Sequence, residues 1–418
     1  MAVSKNINSD IKNDIKKEKN LYYQRNQINK DKIKREKNQR LKKRAAGFIV
    51  CSVVLVILSI LNMFSANFYA IFTKGLKVFN SYFLYLVISI AGFVVAKRIN
   101  YKFYNKNKFN LFLIVISLIF LSFILVGAKS FPKIVPKLNG AYGWIRLGPL
   151  SLQPAEFLKL PFVILLAHFL EKAENSRLKN LKVFFQALPI MFFYGFFIIR
   201  QGDLGTTIHY FVIFLFMLFM SKIDMKWIGG AITLGFISIM GICLYVYQLG
   251  DISSKGYKLK RIGSFLTGLL KNEYDNNIGY QVGQSLIAFG SGGIIGKGYA
   301  NGVQKYSYLP EVKTDFILAS YGEELGFLGM IILMILFLLI FNIIKSIAIE
   351  TKDYFGKYLA MGIGGYIITQ VLINIYVALG MLPVFGIPMP IFSYGGSSLV
   401  TIFTSLGIIF NINNQKDK

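Results

Sequence analysis

The chain has 418 residues, of which 54% are hydrophobic and only 16% are charged, whereas a soluble domain usually carries about 25% charged residues. The apolar residues come in long unbroken runs, so the composition excludes a disordered chain, a collagen and a disulfide scaffold and indicates a polytopic membrane protein. The formal net charge is +27, and its distribution along the chain favours a membrane over nucleic acid as the partner.

Residues 1–44 hold 15 Lys and Arg against 5 Asp and Glu, which is nearly a third of all basic residues. The segment is rich in Asn, Lys and Gln and shows almost no apolar periodicity. This pattern predicts a basic, mostly disordered cytoplasmic tail held near anionic lipid. No small-residue cleavage site follows the first apolar run, so we do not expect a cleaved signal peptide.

Ten apolar runs are predicted to cross the membrane, which takes about 20 residues, although the fourth and sixth runs are short. Lys and Arg concentrate in the short loops after even-numbered runs, which predicts that both termini are cytoplasmic. The fold class is therefore an all-α polytopic membrane protein of about ten transmembrane helices over residues 45–412. A large extracytoplasmic loop covers 249–314, and a short cytoplasmic tail covers 413–418. The runs cover 46–66, 82–98, 109–128, 155–170, 183–200, 205–222, 227–248, 315–344, 355–380 and 391–412.

Charged residues stand at the outer ends of the fourth and sixth runs. The turn-rich segment 139–159 ends in QPAEFLK, where Glu156 and Lys159 are three residues apart and share one helix face. The pair is either an interfacial ion pair that orients the helix or the charged lining of a polar cavity. Asp203 opens the sixth run, where a carboxylate favours a helix N-terminus and is predicted to cap it.

The end of the large outer loop is rich in glycine. Residues 280–289 predict a short amphipathic helix on the outer surface, followed by a glycine-rich run over 290–298. The run only loosely resembles a phosphate-cradling loop, because it lacks the Walker pattern and follows no strand. Free backbone N–H groups together with Lys297 could still approach an anionic headgroup.

Three carboxylates follow in the eighth run. Asp315 stands at its start, where Thr314 or Asp315 could simply cap the helix. Glu323 and Glu324 lie about 12 Å further along, where a carboxylate costs about 2.5–3.5 kcal/mol unless it is paired or wet. At least one of them is therefore expected to face a polar interior.

The last two runs are joined by LGMLPVFGIPMPIFSYGGSSL, residues 379–399, in which three prolines break the helix. The Gly and Ser residues that follow suit close helix packing. His168 and His209 are single histidines inside spans and are interpreted as hydrogen-bonded packing residues. The chain has no HExxH motif, nucleophile elbow or P-loop, so soluble hydrolase, zinc protease and NTPase functions have no support.

These segments, in their order along the chain, resemble the SEDS family (shape, elongation, division and sporulation), which includes FtsW, RodA and SpoVE. The resemblance covers about residues 46–412 and agrees with the ten spans of the family. Each piece alone is weak, whereas the ordered series is highly specific. The pieces are NGAYGWIRLG with QPAEFLK, DLGT, YKLKRIGSF, GYQVGQSLIAFGSGGIIGKG, LPEVKTDFI with GEELGFLG, and GMLPVFGIPMPIFSYGGSSL.

The resemblance implies a peptidoglycan glycosyltransferase that polymerises lipid II into glycan strands at the outer face of the bacterial cytoplasmic membrane. It also implies a partner, a class B penicillin-binding protein that supplies the transpeptidase. A divalent cation, Mg²⁺ or Mn²⁺, is the candidate cofactor, with no organic cofactor and no nucleic acid expected. Roles in division, elongation and sporulation are all compatible with the sequence.

The resemblance also implies roles for individual residues. Asp315 occupies the position of the Asp in the family's LPExxTDF motif and would accept the proton of the attacking hydroxyl. Glu156 and Lys159 map onto the family's QPSExxK pair. The diphosphate leaving group needs positive charge, for which Lys159, Arg146, Arg261 and Lys297 are the candidates. The full set of predicted substrate-binding residues is Glu156, Lys159, Arg146, Arg261, Lys297, Gln281, Asp203, Ser393 and Ser397.

Three positions depart from the family pattern. Gly143 stands where the family often has Arg before the Trp of its GAxRW motif, and Arg146 is the candidate replacement. Ala155 stands in place of the Ser of QPSE, and Gly202 stands where a Pro commonly precedes the Asp of DLGT. None of these changes touches Asp315, so the polymerase interpretation is kept.

Two other functions remain in competition. A lipid-linked precursor flippase would suit the intramembrane carboxylates Glu323 and Glu324 and the broken helices. A flippase, however, needs alternating access from both faces of the membrane, whereas the unusual motifs of this chain cluster on one face. This clustering disfavours a flippase. A non-catalytic scaffold that recruits a transpeptidase is the second alternative, and in a scaffold Asp315 is dispensable.

Overall fold

The computed structural model describes residues 2–68, 71, 75, 79–138, 140–148, 150–176, 180–221, 223–249, 256–274, 278–306 and 308–415. Within these residues the fold is helical except for one antiparallel pair of short strands and the connecting loops. The strands are β1 (Ile145–Leu147) and β2 (Leu150–Leu152). The α-helices are α1 (Ala2–Ala66), α2 (Asn80–Arg98), α3 (Asn107–Ser130), α4 (Pro154–Phe157), α5 (Lys159–Asn175), α6 (Asn180–Arg200), α7 (Leu204–Phe219), α8 (Met225–Gln248), α9 (Tyr257–Lys271), α10 (Ile278–Gly292), α11 (Ile317–Glu350), α12 (Tyr354–Ala378) and α13 (Gly396–Gln415).

Each of the ten predicted runs overlaps a helix of the structure. In the part of the chain that the structure describes, eight helices are long and apolar enough to cross a membrane. The fourth run lies on α4 and α5, and the sixth lies on α7, which has 16 residues. The all-α polytopic class is thus confirmed, while the count of ten spans and the cytoplasmic position of the termini stay predictions.

The chain divides into two compact units, Met1–Val50 and Cys51–Lys418. The first unit is helical from Ala2 onward, whereas its composition predicts disorder over most of residues 1–44. No Pro or Gly occurs before Gly47, and Lys, Arg, Glu and Gln are good helix formers, which favours the helix locally. Parts of two other predicted segments lie outside the described residues: 416–418 of the C-terminal tail, and 250–255, 275–277 and 307 of the outer loop.

Helix α12 forms the centre of the second unit, with 83% of its apolar stretch buried against protein. Small residues allow its neighbours to approach closely. A Cβ on Gly365 would overlap the ring of Phe216, and one on Gly362 would lie 2.9 Å from Met217 Sδ. By contrast, only 6% of the apolar stretch of α8 is buried. Polar side chains on α12 therefore meet protein groups instead of lipid.

Helix α11 carries Glu323 and Glu324, which are both buried and paired, so the expectation of a polar interior is confirmed for both. Lys297 Nζ lies 2.7 Å from Glu323 Oε1, and Lys305 Nζ lies 2.5 Å from Glu324 Oε1. Backbone N–H groups of Ala300, Val303 and Gln304, which follow the glycine-rich run 290–298, also donate to these carboxylates, with Val303 N 3.0 Å from Glu323. The anion bound by this loop, residues 297–305, is thus the chain's own pair of carboxylates.

The buried pair of Lys305 and Glu324 should be essential to the stability of the loop. Both side chains are no more than 2% exposed, and removing one partner of such a pair typically costs about 3–5 kcal/mol. We expect Lys305→Met to lower the unfolding temperature of the purified protein in detergent by several degrees. Its matched control is Lys226→Met, since Lys226 pairs with Asp224 at 3.5 Å on an exposed surface, where ion pairs contribute little. Equal unfolding temperatures for the two variants would contradict this account.

Candidate functional site

A cavity of about 230 Å³ lies where α4, α7 and α11 begin. It brings together four carboxylates, Glu156, Asp203, Glu311 and Asp315, with the guanidinium of Arg261. The other lining residues are Leu138, Ala141, Trp144, Gln153, Gly202, Thr314, Phe385, Gly386, Pro388, Tyr394, Gly395, Ser397 and Ser398. Segments that are far apart in the sequence therefore converge on one polar chamber at the ends of the helices.

Asp203 caps α7 and also lines the cavity. Its Oδ1 accepts a hydrogen bond from Thr206 N at 2.9 Å, and its Oδ2 accepts from Gln153 Nε2 at 3.1 Å. The predicted N-cap is confirmed. The preceding Gly202 has φ +91°, which proline cannot adopt because its ring fixes φ near −65°. The glycine at this departure from the family pattern is thus required by the local backbone.

Glu156 and Lys159 form a buried ion pair beneath the cavity. Lys159 Nζ lies 2.5 Å from Glu156 Oε1 and donates to Gln370 Oε1 at 3.2 Å, and the lysine side chain is fully buried. Glu156 lines the cavity, and its Oε2 accepts no hydrogen bond from the described residues. The two alternatives predicted from the sequence therefore combine: the lysine holds the glutamate in place, and the glutamate lines the cavity.

Asp315 lies in the turn just before α11. The N-cap of that helix is Phe316, without a side-chain cap, so the suggestion that Thr314 or Asp315 caps it was wrong. Instead, Asn374 Nδ2 donates to the carbonyl of Asp315 at 3.0 Å and to that of Ile387 at 2.8 Å. One buried amide of α12 thus fixes the Asp315 turn against the proline-broken segment.

The carboxyl of Asp315 titrates near neutral pH. Its pKa is raised from the ordinary value of 3.8 to about 7. Burial is the largest cause, because it disfavours the charged form, and the negative charge of Glu311 adds to it. The guanidinium of Arg261 and a hydrogen bond from Thr314 act in the opposite direction, and Asp203 raises the pKa slightly. A carboxyl of this kind can accept a proton at neutral pH.

The cavity includes only some of the residues predicted from the sequence. Ser397 lines it, and its Oγ accepts a hydrogen bond from Gln153 N at 2.9 Å. Five predicted residues are absent from its lining, as far as the described residues show, and one of them is Lys159, which is buried against Glu156. Lys297 pairs with Glu323, Ser393 donates to the carbonyl of Met389, Gln281 lies on α10, and Arg146 lies on the exposed part of β1.

Arg146 does not take the place of the arginine missing at position 143. A Cβ on Gly143 would point at Gln153 Nε2 and Asp203 Oδ2, at 3.7 and 3.9 Å. Arg146 instead lies in the β-hairpin, where its backbone N–H donates to the carbonyl of Ile134. Of the four predicted diphosphate ligands, Arg261 alone lines the cavity.

Three residues of the site were not predicted from the sequence. Glu311 stands in the LPEVKTDF motif and lines the cavity. Gln370 and Asn374 are polar residues in an apolar run, four positions apart and therefore on one helix face. That spacing is a usable signal, because polar side chains within a span tend to face the bundle interior.

A divalent cation stays a predicted cofactor. Mg²⁺ usually binds through one or two carboxylates together with the phosphates of a substrate. Among the described residues no group of three or more His, Cys, Asp or Glu is arranged to hold a metal.

Comparisons with known proteins agree on one family. A family model described as Cell cycle protein (FtsW/RodA/SpoVE) matches residues 45–418. The "Probable peptidoglycan glycosyltransferase FtsW" of Geobacter sp. (strain M18) is 32% identical over 373 residues, covering 88% of this chain and 95% of that protein. The "Stage V sporulation protein E" of Bacillus subtilis is 36% identical over 298 residues, covering 71% of this chain and 78% of that protein.

Solved structures share the fold. RodA of Thermus thermophilus has a TM-score of 0.63 at 21% identity, covering 89% of this chain and 97% of RodA. A chain from "Structural coordination of polymerization and crosslinking by a peptidoglycan synthase complex" has a TM-score of 0.70 at 22% identity, covering 89% of this chain and 98% of that one. At these identities the likeness shows the architecture.

The amide of Asn374 should hold the cavity wall in place. We expect Asn374→Ala to speed hydrogen–deuterium exchange in peptides covering 311–318 and 386–392, because each buried carbonyl that loses its donor costs about 1–3 kcal/mol. The control is Leu372→Ala on the exposed face of the same helix, which should leave both peptides unchanged. Unchanged exchange in Asn374→Ala would show that the wall does not depend on this amide.

Proposed function

The chain belongs to the FtsW/RodA/SpoVE family of cell cycle proteins, and we propose that it is a peptidoglycan glycosyltransferase that polymerises lipid II. The proposal takes its activity from relatives named peptidoglycan glycosyltransferase. The single observation that carries it in this chain is Asp315, a carboxyl with a pKa of about 7 in the wall of a large polar cavity. The proposed place of action is the outer face of the bacterial cytoplasmic membrane.

In the proposed reaction Asp315 is the general base. The 4-hydroxyl of an incoming lipid II attacks the anomeric carbon of the growing strand and passes its proton to the Asp315 carboxylate. The new glycosidic bond forms as the bond from that carbon to the diphosphate oxygen breaks. Undecaprenyl diphosphate leaves with the bonding electrons, and because diphosphate is a good leaving group, it needs positive charge more than a second carboxylic acid.

The other polar groups of the cavity suit the sugars of such a substrate. The carboxylates of Glu156 and Asp203 line the cavity, and carboxylate oxygens accept hydrogen bonds from hydroxyls such as those of a sugar. The ring of Trp144 also lines the wall and offers an apolar face to a sugar. Lys159 has no direct part in this scheme, because its ammonium is buried against Glu156 and Gln370.

The proposed partner is a class B penicillin-binding protein that crosslinks the strands made by this chain. Support comes from the fold, which this chain shares with a chain of the peptidoglycan synthase complex. The partner would supply the transpeptidase. The chain would act in cell division or in elongation.

Replacing Asp315 tests the proposed chemistry. Polymerisation of fluorescent lipid II by the purified protein with a cognate class B penicillin-binding protein should fall about 10²–10⁴-fold in Asp315→Asn, the usual contribution of a general base. The matched control is Asp224→Asn, which makes the same change at an exposed carboxylate.

The outcomes separate the three candidate functions. Equal polymer from Asp315→Asn and wild type would remove Asp315 from the role of base. If an intact wild-type complex makes no polymer, the proposed function fails. Translocation of lipid II in liposomes would then distinguish a flippase from a scaffold.

The pH dependence of polymerisation should follow the Asp315 carboxyl. A general base works only when it is ionised, so the rate should rise with pH through the pKa of about 7. Glu311→Gln removes a negative charge that raises this pKa, so the rising limb should move to lower pH. Glu273→Gln removes the same charge from an exposed loop outside the cavity and should leave the limb in place. If the pH at which the polymerisation rate rises were the same in Glu311→Gln and wild type, the charge of Glu311 would not be a cause of the raised pKa of Asp315.

A further inference from the structure

A group of exposed basic side chains lies where α3 ends and the β-hairpin follows. Lys129 is in the last turn of α3, and Lys133 and Lys137 are in the loop after it. Arg146 is on β1, and all four side chains are exposed. No Asp or Glu occurs over residues 37–155, and the salt bridges between described residues involve none of the four. These residues form a basic patch without a carboxylate partner among the described residues.

Backbone and core contacts fix the basic patch as one surface. Arg146 N donates to the carbonyl of Ile134 at 2.8 Å, which holds β1 against the loop. Val135 of the loop and Ile145 of β1 pack with Ile124 of α3 in one buried cluster. The end of α3, the loop and the hairpin are therefore joined, and their cations stay together without help from a partner.

Exposed apolar side chains alternate with these cations along the chain. Phe131 is 51% exposed, Ile134 36% and Leu147 58%. They continue the exposed apolar side of α3, where Val126 is 61% exposed. The exposed apolar side of a membrane-spanning helix contacts hydrocarbon, and Lys and Arg near its end extend to the headgroups. The patch therefore has the composition of a surface that lies at the membrane interface.

The basic patch is separate from the polar cavity. None of its four cations is among the described residues that line the cavity, although Trp144, just before β1, and Gln153, just after β2, both are. The strand β2 is also held by Tyr85, whose hydroxyl accepts from Ser151 N at 2.7 Å and donates to the carbonyl of Ser151 at 2.6 Å. A ligand of the patch is thus distinct from a substrate in the cavity, but it contacts a hairpin that is joined to the cavity wall.

We propose that the basic patch binds the headgroups of anionic phospholipids, with phosphatidylglycerol as the representative lipid. Each Lys or Arg near a membrane surface strengthens the binding of anionic lipid about fivefold. An acidic protein segment would match the charge equally well. The exposed apolar side chains continue the lipid-facing side of α3, however, and this continuity favours lipid. The proposal does not depend on the polymerase function.

Photocrosslinking from Leu147 tests the proposal without relying on catalysis. The full chain carries p-benzoylphenylalanine at this exposed position and is placed in nanodiscs that contain phosphatidylcholine in excess over phosphatidylglycerol. After irradiation, mass spectrometry of the crosslinked peptide gives the ratio of the two lipids. Phosphatidylglycerol should be enriched at least about fivefold over its bulk share. The same crosslinker at Ile239, on the exposed side of α8, should report the bulk share.

Neutralising the patch should remove this enrichment. Lys133→Gln with Arg146→Gln should bring the lipid ratio at Leu147 close to the bulk share, whereas Arg146→Lys keeps the charge and should keep most of the enrichment. The matched control is Lys102→Gln with Lys108→Gln, which removes two exposed charges near the opposite end of α3. It should leave the ratio unchanged. Because all these side chains are exposed, the variants should unfold at the same temperature as wild type.

Three results would overturn the proposal. A bulk lipid ratio at Leu147 in wild type would show that the surface contacts lipid without regard to charge. Crosslinks to a class B penicillin-binding protein that replace the lipid when this protein is added would make the patch a protein docking surface. Displacement of phosphatidylglycerol by added lipid II would assign the patch to the substrate. Polymerisation enters none of these measurements, so the lipid site and the proposed function can fail separately.

Discussion

The two amides of α12 connect the parts of the chain that form the cavity. Gln370 accepts from Lys159 and donates to the carbonyl of Pro388 at 2.8 Å, while Asn374 donates to the carbonyls of Asp315 and Ile387. Prolines break the helix between α12 and α13, so buried carbonyls of this segment are left without helical donors. Such backbone is tolerated inside a membrane protein only where protein groups satisfy it. The cavity wall can therefore exist because α12 is buried and polar at these two positions.

Two sets of buried carboxylates in this chain differ in how completely they are satisfied. Glu323 and Glu324 receive lysines and backbone N–H groups from one loop, which uses their charge to close the fold. Glu156 receives one lysine on one oxygen, and the other oxygen has no partner among the described residues, although the side chain lines the cavity. A buried polar atom without a partner is costly, which makes Glu156 a candidate position for a ligand. This contrast distinguishes a structural charge cluster from a candidate site.

The sequence predicts the helices well because their signal is local. A run of about 20 apolar residues is visible without knowledge of its neighbours, and the same is true of the Asp203 cap, which depends on residues three positions apart. The partners of Lys297 and of Asn374 are not local, lying 26 and 59 residues away. Residue type alone offers Lys297 to a lipid headgroup, whereas the fold pairs it with a carboxylate. Similarity in the order of motifs could locate Asp315, but only the fold shows that Glu311 and Arg261 surround it with opposing charges.

The missing arginine at position 143 bears on how the remaining cation acts. A side chain there would point at Asp203 and Gln153, so an arginine would neutralise part of the acidic wall. With glycine in its place, four carboxylates share the cavity with one guanidinium. Burial raises the pKa of Asp315 most, the charges of Glu311 and Asp203 raise it further, and the guanidinium of Arg261 lowers it. A second arginine at position 143 would bring another positive charge to this wall and would lower the pKa as Arg261 does, so glycine at this position helps to keep the carboxyl able to accept a proton near neutral pH.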